Sequence, residues 1–397
     1  MRSLRFYINI LKPYDLLFML VWISTPLLTY MRIVLNHIPV IHIFAGAIIP
    51  IIFIILAILS ADHFKVTIKW SDILLYGVIF SVFILHYAIF PNNKPYIKEY
   101  FPDFFIYTLP LYFIGVSMKG ITRILPHLEI LSYIAVISYF IFRSIVSVDG
   151  SLQVEGGDMV GAYSMLPFVS YIVWRICERR IGGGLKVLSI FIGLFIFMFL
   201  GNRGSMLCYG IFIFSYLIFI KKIYKKTWLL IALSLVLGGV YVFFNEILLF
   251  LTYIADNIGF SKRILEQINE DAIFDSSGRN ELIKIVSDAM LQHPLAGYGI
   301  TGDRSLLSIY VHNIFWEIIV HFGLVVGPLI LLFCGFVIWR AYKRSSDNDI
   351  KTLLLLFIAS GLCPLFLSSS YLEWPKFFLL MGLAIYLAFR HKESDRL

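Results

Sequence analysis

Charge is scarce in this sequence. Only 15% of its 397 residues are Asp, Glu, Lys or Arg, while 59% are hydrophobic. A soluble domain carries about a quarter charged and just under half apolar residues, so an ordinary water-facing surface is excluded for most of the chain. Cysteine is scarce too. Cys177, Cys208, Cys334 and Cys363 lie in or beside apolar runs with no C-x-x-C spacing, which leaves them as small buried apolar residues rather than a thiolate metal pair. No Asp-x-Asp metal pair is expected, and there is no Walker loop and no H-E-x-x-H, which argues against a nucleotide-sugar glycosyltransferase and an ATP-driven pump. Arg2, Arg5 and Lys12 precede a first apolar run without a small-residue cleavage site, so that run is expected to stay as a helix.

What is abundant is apolar length. Runs such as Phe44 to Leu59, Ile73 to Phe90, Leu229 to Leu249 and Thr352 to Leu367 recur along the chain. A helix needs roughly 20 apolar residues to cross a hydrocarbon core of about 30 Å. The expected fold class is therefore all-α, a polytopic integral membrane protein with about twelve spans. They fall near 14–35, 39–60, 72–90, 103–118, 128–148, 159–177, 185–201, 204–220, 227–250, 309–339, 352–370 and 374–390. The net charge of +8 follows from cations in short loops and implies no nucleic-acid partner. With the N-terminus inside, 22 of the 33 Lys and Arg fall in inner loops and 11 elsewhere. This positive-inside bias predicts an N-in, C-in topology. The single transmembrane domain, 1–397, would carry one long outer loop, 251–308. There, Leu282, Ile285, Val286, Ala289 and Met290 recur at helical spacing after Arg279, with Ser276 and Ser277 as caps and Pro294 as a stop. A second short helix is expected over Ser261 to Ile268.

Four groups of residues could do chemistry, all on the expected outer side. Arg203 stands in the turn Gly201-Asn202-Arg203-Gly204-Ser205 between two apolar runs. An ionisable group at such depth defaults to a functional reading, and the glycines let a bound group approach the backbone; the plain alternative is an Arg reaching lipid phosphate. Arg279 opens the loop helix, where a helix N-terminus and a guanidinium fork both suit phosphate oxygens. His312-Asn313 marks re-entry into the membrane, a place for a general base, and Glu317 and His321 at i, i+4 share a helix face. The turn Ser368-Ser369-Ser370-Tyr371-Leu372-Glu373-Trp374 could hold sugar hydroxyls or simply form an interfacial aromatic belt.

These residues, in this order, resemble the O-antigen polymerase and O-antigen ligase superfamily. The turn around Arg203 is similar to that family's S-R-G turn, with Asn202 in place of the Ser. Arg279 through Gln292-His293-Pro294-Leu295-Ala296-Gly297-Tyr298-Gly299 resembles the family's Arg followed by h-P-l-x-G-x-G, although the spacing from Arg279 to Gly297 departs from R-x10-G. His312-Asn313 matches its H-N, and Gly323 completes an H-x10-G spacing. Tyr371-Leu372-Glu373-Trp374-Pro375 resembles the polar turn before the last span. Asp158-Met159 to Tyr163, leading into Leu166-Pro167, resembles the polymerase branch. The specific part runs from Gly201 to Gly323.

The resemblance implies a glycosyltransferase of the cytoplasmic membrane that uses an undecaprenyl-pyrophosphate-linked oligosaccharide as donor, without metal or cofactor. Arg203 and Arg279 would hold the pyrophosphate, and His312 would take the acceptor's proton. Asn202, Tyr298, Asn313, Glu317, Tyr371 and Glu373 would bind substrate. A polymerase would extend another lipid-linked repeat unit, for O-antigen or capsule; a ligase would transfer to a lipid core. Beyond the bilayer and the lipid-linked glycan, a chain-length regulator and a flippase are the partners such an enzyme implies. The rival of another class is a lipid-linked glycan flippase or transporter.

Overall fold

The computed structural model describes residues 11–35, 51–148, 157–200, 202–222, 249–250, 253 and 279–390. The spans expected at 227–250 and over the first half of 39–60, the helix at Ser261 to Ile268, Gly201 and the caps Ser276 and Ser277 lie outside the described residues. The described chain is helical, with no β-strand among its residues. Its main helices are α1 (Pro13–Leu35), α2 (Trp70–Ile89), α3 (Leu125–Val148), α4 (Gly157–Glu178), α5 (Gly183–Phe199), α6 (Arg203–Ser215), α7 (Arg279–Met290), α8 (Gly302–Leu307), α9 (Ile314–Arg344), α10 (Asn348–Phe357) and α11 (Pro375–Ile385). Among the described residues, five stretches are long and apolar enough to cross a membrane: Trp70–Ile89, Ile121–Ile141, Arg203–Ile220, Ile314–Arg344 and Asn348–Leu367. Hydrocarbon offers the backbone no hydrogen-bond partners, so sequences this apolar satisfy themselves as helices.

The residues form two compact units, Met1–Lys69 with Ile121–Leu152 and Trp70–Gly120 with Gln153–Leu397. In the first, α1 and α3 are tied by Arg123 Nη2 to Asp15 Oδ1 at 2.6 Å and by Trp22 Nε1 to Ser132 Oγ at 3.3 Å. The second unit carries every candidate site residue.

In that second unit the ends of the helices differ in charge. Arg340 and Arg344 of α9 both donate to the Ala388 carbonyl at 3.2 Å, just beyond α11. Lys221 pairs with Glu178 at 2.6 Å, and Arg390 pairs with Asp72 at the start of α2. The other ends of these same helices meet at Tyr163, Arg203, His312 and Pro375, which defines a site end. Small residues bring the helices close. A Cβ at Gly115 would overlap the Leu379 carbonyl, and one at Gly382 would overlap that of Tyr112, the backbone approach that glycine permits in membrane bundles.

One expected span departs from a simple helix. Over 103–118 the chain runs as a short helix ending at Asp103, a π-turn Phe104–Thr108 and a new helix Leu111–Val116. Pro110 has no N–H for a continuous ladder. The span expected at 309–339 begins instead at Ile314, because His312 sits in the left-handed region (φ 56°) and Asn313 is extended.

The expected loop helix forms as α7, and the segment after it, Leu291 to Gly299, is spliced into α9. At Gly323 the backbone takes φ 78°, ψ 175° and breaks the helix. In an intact helix Leu324 N–H would donate to the Val320 carbonyl. Instead it donates to the Pro294 carbonyl (2.7 Å), and Val320's carbonyl accepts from Tyr298 N–H (2.7 Å). The loop thus replaces one lost helical bond with two of its own. A Cβ at Gly323 would overlap the Leu295 carbonyl oxygen, and its conformation belongs essentially to glycine. The h-P-l-x-G-x-G stretch and the glycine of H-x10-G are therefore two sides of one contact. Gly323→Ala is expected to cost about 1–3 kcal/mol from backbone strain alone, seen as a lower unfolding midpoint of the purified protein. An unchanged midpoint would contradict the splice.

Candidate active site

The site end is organised around Tyr163 of α4. The Asn202 side chain, which is buried, caps α6 by accepting from Ser205 N–H at 3.1 Å. This holds the start of α6, and Arg203 with it, as an ordered helix N-terminus. Gly204 lies directly against Tyr163, since a Cβ there would overlap the tyrosine hydroxyl. That hydroxyl accepts from Ser368 Oγ at 2.8 Å. Pro167 cannot supply the helical N–H for the Tyr163 carbonyl, and Lys376 Nζ donates to it instead at 3.3 Å.

On the far side of Ser368 stands His312. The Ser368 carbonyl accepts from the Tyr310 hydroxyl at 2.8 Å and faces His312 Nδ1 at 3.4 Å. A carbonyl only accepts, so Nδ1 carries the proton and Nε2 keeps its lone pair in the neutral ring. Burial pulls the His312 imidazole below its ordinary value. The Ser368 carbonyl opposes this, and the charges of Arg279 and Arg304 add to the fall. Arg279 also acts electrostatically on the Tyr163 hydroxyl, so its positive charge is felt along the Tyr163–Ser368–His312 line. Burial, then the Glu373 carboxylate, push Tyr310 up to about 12, which keeps it a hydroxyl donor. Thr301, Ser308 and His312 all have φ near 60°. Such conformations are uncommon outside glycine and gather at functional sites.

Beneath this rim lies a dry ionic network that the residue order does not reveal. Arg304 of α8 is 1% exposed, and Asp303, Glu317 and His321 are 0% exposed. Arg304 Nη1 bridges Asp303 Oδ1 and Glu317 Oε1, each at 2.8 Å, and Nη2 donates to Ser370 Oγ at 2.6 Å. Ser370 Oγ in turn donates to Glu317. His321 joins Asp303 (2.8 Å) to the Tyr371 hydroxyl (2.7 Å), and Asp303 Oδ2 accepts from Val311 N–H at 3.2 Å. The rings of Tyr100 and Tyr310 lie 4.7 and 5.4 Å from the guanidinium. Burial raises the Asp303 carboxyl, but Arg304 and His321 outweigh it and hold it well below the usual carboxylate range. The network ties the loop before α9, α9 itself and the 368–374 turn into one rigid seat for His312.

Ligand atoms of Asp303, Glu317 and His321 lie close enough together to hold a metal ion. Arg304 already answers both carboxylates there, so a divalent ion on these atoms would have to displace a guanidinium. An Asp-x-Asp pair, Asp347-Asn348-Asp349, lies at the opposite end of the bundle. Asp347 there caps α10 by accepting from Asp349 N–H at 2.7 Å, a helix-capping role rather than a nucleotide-sugar metal site.

The expected site residues divide accordingly. His312 adjoins the Tyr163–Ser368 contact, Arg203 opens the helix packed against it, and Arg279 acts on it through its charge. Asn202 and Asn313 are helix caps, Asn313 Oδ1 accepting from Phe315 N–H at 3.0 Å. Tyr298 is part of the splice, its hydroxyl bonded to the Ala289 carbonyl at 3.0 Å. Glu317 and Tyr371 are committed to the buried network, while Glu373 faces solvent. The missed pair had one visible signal: Glu317 and His321 share an inward face, a buried carboxylate requires a cation, and Arg304 is the nearest Lys or Arg upstream of it.

Residues 188–333 match the family described as O-antigen ligase. This stretch holds Arg203, Arg279, the splice, Arg304, His312 and the Glu317–His321 face. This match supports the resemblance of the chain to the O-antigen ligase and polymerase superfamily. The match covers a little over a third of the sequence. Tyr163 and the 368–374 turn, which complete the rim of the site, lie outside it. No curated protein and no solved structure matches the chain.

Proposed function

We propose that this protein is a polysaccharide polymerase. It transfers a glycan from undecaprenyl pyrophosphate to the non-reducing end of another lipid-linked repeat unit, at the outer face of the cytoplasmic membrane. The reading includes about twelve spans, both ends inside, and residues 251–308 as an outer loop. The observation that carries it is the meeting of His312 and the start of α6, with Arg203, at the Tyr163–Ser368 contact, where the charge of Arg279 also acts. The cation-rich opposite end suits the cytoplasmic side.

In this reading an acceptor hydroxyl attacks the anomeric carbon of the donor. The new C–O bond forms as the bond from that carbon to the pyrophosphate oxygen breaks. His312 Nε2 takes the hydroxyl's proton. The negative charge growing on the lipid pyrophosphate is met by the Arg203 and Arg279 guanidiniums, whose fixed positions need no reorganisation during the step. Asn202 and the Ser368 carbonyl hold these groups in place; Glu317 and Tyr371 do so from below. Glu373 is the one expected binding residue open to an incoming sugar.

A ligase, passing the glycan to a lipid core, is the second reading, favoured by the description of the matched family. A flippase or transporter would place charged groups along the middle of several spans. In the second unit they gather instead at the two helix ends.

Arg203→Ala and Arg279→Ala are each expected to lower the rate of chain growth by about 10²–10³, the usual effect of removing one preorganised donor. The check is the glycan length ladder on a gel, with protein level matched. A polymerase collapses to single repeat units, and a ligase leaves long chains on the lipid carrier. Normal ladders in both variants would remove the catalytic reading.

A further inference from the structure

Two spans of the second unit, α2 and α9, place the membrane boundary at one level. α2 has 20 residues, about 30 Å of helix, and equals a hydrocarbon core of about 30 Å. It begins at the exposed Trp70 and ends at Ile89. The next residue, Phe90, lies against Gly299, where a Cβ would overlap its ring. In α9, Ile314 and Glu317 to His321 are buried, as is Gly323, whereas Leu324, Val325, Leu329, Leu332, Phe333 and Trp339 are exposed. From Leu324 to Trp339 is sixteen residues, about 24 Å, some 6 Å less than the core requires. Tilt would enlarge the shortfall. Counting about 30 Å back from Trp339, an aromatic of the kind that sits at interfaces, reaches Val320. Val320 is bonded to Tyr298, the neighbour of Gly299. Both helices therefore put the boundary at the Val320–Gly299 level.

Between that level and Leu324 lies the segment Leu291–Leu295. It is pinned there by Pro294 to Leu324 and by Leu295 against Gly323. Leu291 and Leu295 are 78% and 72% exposed and lie beside Leu324, where the exposed apolar run of α9 begins. We infer that this segment is seated in the outermost few ångströms of the leaflet on the site side, a lipid-contacting shelf that fills the apolar thickness α9 lacks. Its occupant is lipid acyl chain, and Gln292 and His293, also exposed, reach the head groups. The first six residues of α9, Ile314 to Ile319, then stand above the bilayer with His312, and the Arg304 network lies at the boundary. The placement rests on apolar length and packing, and it stands whether or not the chain transfers glycans.

The test uses full-length protein in nanodiscs, with Leu291→Cys and Leu295→Cys labelled one at a time by a nitroxide. Both side chains are exposed, so neither replacement opens the core. Unsubstituted protein, treated identically, gives the background from the four native cysteines. Leu329→Cys serves as the mid-bilayer reference and Ser308→Cys as the site-side reference. The expected result is accessibility to oxygen over water-soluble nickel chelate several-fold above the Ser308 position and below the Leu329 position, for both shelf labels. Accessibility equal to that at Ser308 would overturn the inference. So would low accessibility to both reagents combined with disulfide cross-linking of Leu295→Cys between copies, which would make the face a protein contact. If a label perturbs the protein, quenching of a small fluorophore at the same positions by lipids brominated near the head group must give the same ranking.

Discussion

Replacing Arg304 with Met should destabilise the protein by about 3–5 kcal/mol, the usual cost of breaking a buried ion pair from one side. The reason is charge left behind. Asp303 and Glu317 are fully buried and share Arg304 Nη1 at 2.8 Å. Without the guanidinium, two buried carboxylates lose their shared cation, and His321 answers only Asp303. Total stability for a folded domain is about 5–15 kcal/mol, so most of the margin is at stake. The measurement is thermal unfolding in detergent, and an unfolding midpoint equal to that of the parent would refute the account. Arg304→Lys should fall between, because an ammonium restores the charge but not the planar fork that reaches Asp303, Glu317 and Ser370 together. The pH dependence has a definite sign. The Asp303 carboxyl is held below its ordinary value, so its contribution is fully present above the unfolded value of about 4 and is lost only as pH falls through the lower folded value. Neutral to mildly acidic buffers should therefore leave this part of the stability intact.

The second large effect is on rate rather than stability. His312→Asn should leave the fold intact, because Asn is, like His, one of the few residues that tolerate a φ near the 56° found here. It should slow glycan transfer by about 10²–10⁴, the range for loss of a general base. Parent and variant should show equal protein levels and similar unfolding midpoints but very different ladders. Burial and the charges of Arg279 and Arg304 pull the imidazole below its ordinary value. The ring is therefore neutral and able to accept a proton at pH 7. Activity should hold steady downward from pH 7 and fall only below the ordinary imidazole value of about 6.5. An acid limb centred above that value would show that His312 is not the base.

The two variants separate what the two layers do. Arg304 acts through the backbone: it fixes α8, α9 and the 368–374 turn, and so the strained peptide that presents His312. His312 itself faces the Tyr163–Ser368 contact, where the charge of Arg279 also acts. A loss of both stability and rate in the first variant, and of rate alone in the second, is the pattern that a rigid seat beneath a reactive rim predicts.

The helices themselves were legible in the residue order. Apolar length alone called for α2, α6, α9 and α10, because a chain in hydrocarbon has no other way to satisfy its backbone. The spacing of Leu282, Val286 and Met290 called for α7, and the i, i+4 relation placed Glu317 and His321 on one face. Arg203, Arg279 and His312 stood out because each is costly or unusual where it lies. What the order of residues could not show was the partner of Glu317, since Arg304 comes from a separate short helix and meets it only after the loop folds back. Nor could it show that Gly297 and Gly323 serve one contact, because the exchange of the Val320–Leu324 bond for two loop bonds exists only when both strands of chain are side by side. Hydropathy and helical period are local and are written in sequence. Charge compensation in a dry interior and the sharing of backbone hydrogen bonds depend on distances of about 3 Å between remote residues, and only the tertiary structure sets those.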